Sequence, residues 1–253
     1  MFVASLISPM GMLDASLVEN LRNAWGGGII DWLGIDEAAE FTLDHIPDNR
    51  WQVWQDLQEI QVDLIVHPSQ NRRKKMLLAD MDSTMILQEC IDELADEAGV
   101  GEHVKAITVR AMNGELDFEE ALLERVSLLK GQRASIIQRV LDARIKFMPG
   151  GAVLIATMKA NGAYAALVSG GFTAFTKKVA YTLGFDEHHA NELLIQHDLL
   201  TGKVARPILG QQAKVDVLEA ISARLKLTQM DVIAVGDGAN DLGMLTRAGT
   251  GVA

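Results

Sequence analysis

The sequence predicts an α/β protein with a doubly wound parallel sheet, a helical insert and a small separate α+β domain at the N-terminus. Three observations carry this expectation. From residue 76 onward, short apolar runs that stop on polar motifs alternate with helical stretches, as in a parallel sheet covered on both faces. That alternation is interrupted over residues 85–148 by helix-forming sequence without a strand. Residues 1–70 differ in composition, holding eleven Asp/Glu against only Arg22 and Arg50, together with all four tryptophans. The basic run Arg72-Arg73-Lys74-Lys75 follows at once, and the shift predicts a domain boundary near residue 70.

In the first segment, Phe2–Ser8 reads as a strand, and Asp14 can cap a helix over Ala15–Trp25. Gly26-Gly27-Gly28 breaks that helix. Ile29–Leu33 and Ala39–Leu43 read as strands, Trp51–Ile60 as a helix and Val62–Val66 as a last strand. The order β-α-β-β-α-β suits a ferredoxin-like sandwich. It resembles the ACT-type domains that bind amino acids; a docking module, or one through which a homodimer forms, is the other reading. The tryptophans are read as core rather than as a ligand cage.

Met76–Ala79 reads as a buried strand that stops on Asp80-Met81-Asp82-Ser83-Thr84. Polar groups inside such a strand would only cost desolvation, whereas at its C-terminal tip they face the ligand crevice of an open α/β sheet. Four helices are expected next, over 88–98, 102–112, 118–129 and 134–144, punctuated by glycines. An insert directly behind such a strand reads as a lid or cap. In the third helix Arg125 interrupts the apolar stripe Phe118, Ala121, Leu122, Leu129. A guanidinium aimed at a core needs an anion. Periodicity leaves open whether that is a structural carboxylate or a substrate's carboxylate or phosphate, which its planar fork suits.

The sheet resumes after the turn Met148-Pro149-Gly150-Gly151 and a helix over Ala152–Asn161. Tyr164–Val168 reads as a strand ending in Ser169-Gly170-Gly171-Phe172, and a helix runs over Phe172–Leu183. Residues 193–205 suggest a polar hairpin turning at Thr201-Gly202. Lys214 heads a helix to about Lys226, and Val232–Val235 is a strand ending in Gly236-Asp237-Gly238-Ala239-Asn240-Asp241.

Three strand tips therefore bring four aspartates, a serine and Lys214 to one sheet edge. No histidine belongs to the set and no phosphate-binding Gly-x-x-x-x-Gly-Lys-Ser/Thr loop is present. Clustered carboxylates must be neutralised, and hard oxygen ligands from Asp80, Asp237 and their neighbours suit Mg²⁺, which prefers substrate phosphate as a further ligand. Asp80 can then act as nucleophile and form an acyl phosphate. Asp82 could protonate the leaving oxygen and later deprotonate water. Ser169, the glycine-turn amides and Lys214 would hold the phosphoryl oxygens, helped by the positive end of helix 172–183. Alone, Asp-x-Asp, Ser-Gly-Gly or a helical lysine is weak, but Gly-Asp-Gly-x-Asn-Asp after an apolar strand is specific.

These motifs, in this order, resemble motifs I to IV of the haloacid dehalogenase-like hydrolases, whose Rossmann-like core carries a first type of cap between motifs I and II. Within that family Asp80-Met-Asp-Ser-Thr-Met-Ile, Glu89 and Ser169-Gly-Gly-Phe172 are most similar to the phosphoserine phosphatases. The resemblance spans residues 76–253. It implies 71–84 with 149–253 as core and 85–148 as cap; over residues 1–70, expected as an ACT-like domain, the likeness is only architectural. It implies Asp80 as phosphorylated nucleophile, Asp82 as acid/base, and Mg²⁺ held by Asp80, the backbone oxygen of Asp82 and Asp237, with Asp241 in support. Ser169, Gly170, Lys214 and Asn240 would contact phosphate. Glu89 would pair with a substrate ammonium and Arg125 with its carboxylate, beside an apolar wall of Met112 and Phe118. Helical phase agrees for Arg125; Glu89, opposite the stripe Ile91, Leu94, Ala95, Ala98, rests on the resemblance. The implied reaction ends serine biosynthesis. The chain stops at Gly251-Val252-Ala253, which reads as the start of one more strand, where family members continue further.

The bulk numbers narrow the classes. Net charge −11 and pI near 5.0 argue against a nucleic-acid or anionic-membrane surface. The single Cys90 fits a reducing compartment, Met1–Met10 lacks a basic leader, and no apolar run approaches the ~18 residues of a membrane span. A cytoplasmic enzyme with a small-molecule substrate is expected. Two alternatives remain: another small phosphomonoester as substrate, or an amino-acid-sensing phospho-aspartate regulator without turnover.

Overall fold

In the computed structural model, which describes residues 1–253, strand β1 (Phe2–Ile7) lies inside an antiparallel four-stranded sheet. Helix α1 (Ala15–Ala24) opens on Asp14, whose carboxylate accepts the Ser16 amide at 2.7 Å. Strands β2 (Ile30–Gly34) and β3 (Ala38–Leu43), helix α2 (Arg50–Gln58) and strand β4 (Asp63–Pro68) complete the unit in sheet order β2-β3-β1-β4. Its core is Leu6, Leu13, Val18, Phe41, Leu57 and Leu64. The tryptophans are not that core: Trp32, Trp51 and Trp54 are exposed, and Trp25 only flanks it, giving its indole N–H to Asn49. Leucine and phenylalanine fill the space, and an indole N–H at the surface is easily satisfied. Met1–Arg72 is one compact unit and Arg73–Ala253 another.

In the second unit, β5 (Met76–Ala79) has all four residues inaccessible to solvent, the continuous apolar run of a strand covered on both faces. Four helices follow, α3 (Cys90–Glu97), α4 (Gly101–Met112), α5 (Phe118–Ser127) and α6 (Ser135–Ala143). The connections into and out of this layer run antiparallel: Leu87 donates to Lys146 O at 2.9 Å and Met148 to Met85 O at 3.0 Å. Helix α7 (Gly151–Ala160), strand β6 (Tyr164–Phe172), helix α8 (Thr173–Leu183) and strand β7 (Glu187–Asn191) come next. A two-stranded ribbon, β8 (Leu193–Gln196) and β9 (Leu199–Val204), precedes α9 (Gln211–Leu225), β10 (Val232–Val235), α10 (Leu242–Arg247) and β11 (Thr250–Val252). The sheet order is β11-β10-β5-β6-β7, all parallel.

Alternation along the strands builds both layers. Leu77, Ala79, Ala165 and Leu167 join a cluster with α3, α5, α6 and α8, while Met76, Leu78, Ala166 and Val168 pack against Leu218, Ile221 and Met244 of α9 and α10. No helix is long and apolar enough to cross a membrane.

Two local expectations need correction. The ribbon turns at His197 and Asp198, both at positive φ, not at Thr201-Gly202. Gly202 lies inside β9 at φ +75°, where a Cβ would also stand 2.8 Å from Cβ of Lys130; it serves a left-handed backbone and a close approach together, with Gly131 and Ala134 donating to the carbonyls of Leu200 and Asp198. Residues 164–168 were expected as a strand, but β6 continues through Ser169-Gly170-Gly171 to Phe172 with a register shift against β7, so the glycines form an irregularity within the strand.

Candidate active site

The tips of β10, β5 and β6 lie side by side because these strands are neighbours in the sheet. They deliver Asp237, Asp80 and Ser169 to one cavity of about 150 Å³, lined also by Asp82, Glu89, Phe118, Arg125, Gly170 and Asn240.

Asp80 is 5% exposed. Lys214, in the first turns of α9 and 2% exposed, holds its Nζ 2.8 Å from Asp80 Oδ1 and donates a 2.6 Å hydrogen bond to Asp241 Oδ1. The contact with Asp80 is one of charge and not of hydrogen-bond geometry, so Oδ1 remains a buried oxygen without a hydrogen-bond partner. Burial raises the Asp80 carboxyl above its ordinary value, with Lys214 opposing and Asp241 reinforcing the rise. Asp241 is fully buried, and its other oxygen accepts the Gly238 amide at 3.0 Å. Gly236 is required here, since a Cβ would collide with the Asp241 carboxylate. Carboxylate oxygens of Asp80, Asp237 and Asp241 all lie within 4.8 Å of one another.

Asp82 is separated from Asp80 in environment as well as in sequence. Burial pushes its carboxyl up to about 7, with Glu89 and Asp80 adding to the rise. Its Oδ1 accepts the Cys90 amide at 3.1 Å, the first N–H of α3, and its Oδ2 takes a long 3.4 Å contact from Ser169 Oγ. Ser169 Oγ also accepts the Gly171 amide at 2.8 Å.

On the opposite wall, Phe118, Leu122 and Arg125 of α5 share the cavity with Glu89 and Ile91. Asp117 and Glu120 form a reciprocal capping box that starts α5. A Cβ on Gly170 would sit 3.0 Å from Phe118 Cζ, so the glycine lets the ring approach. Arg125 donates Nε–H to Ala121 O at 3.2 Å. Burial lowers its pKa while Asp92 and Glu89 oppose, and the guanidinium stays charged. Glu89 remains exposed as a residue although it lines the cavity; partial burial raises its carboxyl, and a 2.7 Å hydrogen bond from Ser83 Oγ holds it.

One expected member is not brought in. Met112 ends α4 and is 82% exposed, outside the cavity; Ile91 and Leu122 provide apolar wall beside Phe118. Two other contributors were not among the expected site residues. Thr84 Oγ donates to Asp237 Oδ1 at 2.8 Å, tying the β5 and β10 loops. Buried Asn191 donates to Gly170 O at 2.9 Å and accepts the Leu209 amide at 2.7 Å, fixing the glycine turn. The Thr in Asp-x-Asp-Ser-Thr was the available signal for Thr84; Asn191 offered none.

A family model for haloacid dehalogenase-like hydrolases matches residues 77–246. The chain belongs to this family. Its core is therefore the α/β fold with a parallel sheet that this family shares. Among curated relatives, a phosphoserine phosphatase of Archaeoglobus fulgidus is 41% identical over 223 residues, covering 87% of this chain and 62% of that protein. The chain thus spans about three fifths of that relative's length. A family hydrolase of Salmonella enterica serovar Typhi superposes with TM-score 0.89 at 30% identity, covering 100% of this chain and 89% of that one. A phosphoserine phosphatase solved as a phospho-aspartyl intermediate analogue superposes with TM-score 0.67 at 42% identity over 71% of this chain and 86% of its own.

Proposed function

We propose that this chain hydrolyses O-phospho-L-serine to L-serine and phosphate, with Mg²⁺, through a phosphoryl group carried on Asp80. The observation that carries the reading is one cavity in which a buried nucleophile and a half-buried acid, with Asp237 beside them, face a carboxylate and a guanidinium, Glu89 and Arg125. A phosphorylated amino-acid zwitterion needs all four. The names borne by the relatives support the same substrate.

A divalent ion fits the residues present. Asp80 Oδ1 is buried without a hydrogen bond, and Asp80 and Asp241 share a single ammonium while Asp237 lies beside them; an all-oxygen donor set suits Mg²⁺. Asp80 and Asp237 would hold it with the backbone oxygen of Asp82, and Asp241, already bonded to Lys214, would support the shell. Bound there, Mg²⁺ supplies positive charge that lets a phosphate dianion approach a carboxylate.

In the reaction, an Asp80 oxygen attacks phosphorus and the serine oxygen leaves, taking the proton from Asp82. Water then attacks the aspartyl phosphate, giving its proton back to Asp82, and phosphate departs as Asp80 is restored. Lys214, Ser169 and the amides near Gly170 hold the phosphoryl oxygens; Asn240 stands beside them. An acid at about 7 is poised to do both proton transfers near neutrality. A phospho-aspartate regulator that keeps its phosphoryl group has no use for such an acid.

On this reading residues 1–70 are an ACT-like domain, through which a homodimer can form. Residues 71–84 and 149–253 are the catalytic core, and 85–148 are a cap that closes the cavity. The single buried cysteine suits a reducing cytoplasm.

Phosphate release from phosphoserine with Mg²⁺, against EDTA, is the test. Asp80→Asn is expected to lower kcat by more than about a thousandfold with an unchanged circular dichroism spectrum; retained turnover removes Asp80 as nucleophile. Arg125→Ala is expected to lower kcat/KM for phosphoserine by about 10- to 100-fold and to affect p-nitrophenyl phosphate much less. Equal losses on both esters would mean that the substrate is not an amino acid.

A further inference from the structure

We propose that Ser83 is a positioning residue for substrate selectivity, holding Glu89 in place to receive an ammonium. The inference rests on the reading of Glu89 as the ammonium's partner. Three features of the 83–90 loop support it.

Ser83 sits at φ +54°, in the left-handed region that an L-residue other than Asn or Asp rarely occupies. A backbone held there is kept by its surroundings, and such residues cluster at functional sites. The Ser83 amide donates to Gln88 O at 3.3 Å and its Oγ donates to Glu89 Oε1 at 2.7 Å. The unusual backbone therefore closes a small loop on Glu89.

Glu89 is the N-cap residue of α3, yet its side chain makes no capping hydrogen bond. Caps are ordinarily Ser, Thr, Asp or Asn, whose short side chains reach the free amides of the first turn. The first of those amides, on Cys90, is given to Asp82 instead. The Glu89 carboxylate is thus released from the helix end and committed to Ser83, while the residue lines the cavity.

Ser83 itself does not line the cavity, so it acts through Glu89. A glutamate side chain has several rotatable bonds and loses much freedom when fixed. One hydrogen bond to Oε1 restricts it and leaves Oε2 for the ligand. The loop follows directly on Asp82, so the acid and the ammonium site are set by one stretch of backbone.

The test uses the whole chain with Mg²⁺ and two substrates, O-phospho-L-serine and 3-phosphonooxypropionate, which is the same ester without its amine. The readout is the ratio of their kcat/KM values in the parent, Ser83→Ala, Ser83→Gly and Glu89→Gln. Ser83→Ala and Ser83→Gly are both expected to lower the ratio about tenfold, through KM for phosphoserine. Ser83→Gly accepts the positive φ, so it should melt at or above Ser83→Ala; a role confined to backbone structure would leave its ratio at the parental value. If Glu89→Gln lowers the ratio and neither Ser83 variant does, the positioning role is overturned while the reading of Glu89 stands. If Glu89→Gln leaves the ratio unchanged, Glu89 is not the ammonium's partner and the role of Ser83 falls with it.

Discussion

At neutral pH the Asp82 carboxyl is near its midpoint, in surroundings that disfavour its charge. The folded value, about 7, lies above the ordinary 3.8. A raised pKa contributes stability that is full below the unfolded value and lost as pH rises through the folded one. Holding the Asp82 carboxyl in these surroundings therefore costs stability on the alkaline side, by about 2–4 kcal/mol. Asp82→Asn in metal-free buffer should accordingly melt above the parent at pH 8, with the gap closing as pH falls toward 4, and should lose phosphoserine turnover. Parallel melts at several pH values check this; a variant less stable than the parent at pH 8 would contradict it. The residues that could be read ahead, Asp80, Asp82, Ser169, Asp237 and Lys214, all sit where a strand tip or helix start gives a polar motif a reason to exist. Thr84, although it stands in the Asp-x-Asp-Ser-Thr motif, and Asn191 were not among them, since each acts through hydrogen bonds to distant loops that no local pattern encodes. Met112 was expected from resemblance alone, and the exposed end of α4 does not bring it to the cavity.

Among elements, those with a strong period were legible. β5 and β10 are short apolar runs, and the helices α3 to α6 carry apolar stripes between glycines. β7 was not, because Glu187-His188-His189-Ala190-Asn191 has neither alternation nor an apolar run; it is the edge strand next to β6, where one side of the ladder needs no partner. The Gly202 error has a similar origin, since glycine marks a turn or a close approach and only tertiary contact distinguishes them. The entry to β10 shows how locally such an element is fixed. Asp231 accepts from the Thr228 amide and hydroxyl at 2.9 and 2.7 Å and pairs with Lys75 at 2.9 Å, just ahead of β5. The Lys75 and Thr228 hydrogen bonds hold its carboxyl well below 3.8. A depressed pKa gives stability present above the unfolded value and lost as pH falls through the folded one. Asp231→Asn should therefore cost about 1 kcal/mol at pH 7, a deficit that shrinks as pH drops below 4. Urea melts at pH 7 and pH 3 measure both; an equal deficit at the two values would assign the loss to packing.

For the whole molecule, charge and aromatic content change near residue 70, and the chain divides into two compact units, Met1–Arg72 and Arg73–Ala253. Composition says how residues differ, not what they bind, so the role of the first unit stays outside what its pattern encodes. The same bookkeeping of charge bears on the second unit. A chain with net charge −11 places Asp80 and Asp241 against one buried ammonium, with Asp237 beside them. One positive charge cannot neutralise three carboxylates, and neighbouring burial has already raised Asp80. Stability in the absence of a cation should therefore be limited by this cluster, and any ion that binds only the folded state adds RT ln(1 + [L]/Kd). At a Mg²⁺ concentration about 100 times its dissociation constant, that gain is about 2.7 kcal/mol, or a rise of roughly 5–10 °C for a unit of this size. Calorimetry in Mg²⁺ against EDTA should show the rise in the parent at pH 7.5. In Asp237→Asn, which removes an exposed carboxylate of the cluster without disturbing the buried Lys214 pair, most of it should disappear. A shift that survives in Asp237→Asn would mean that the cation binds elsewhere on the acidic surface, and that the buried cluster is neutralised by protons alone.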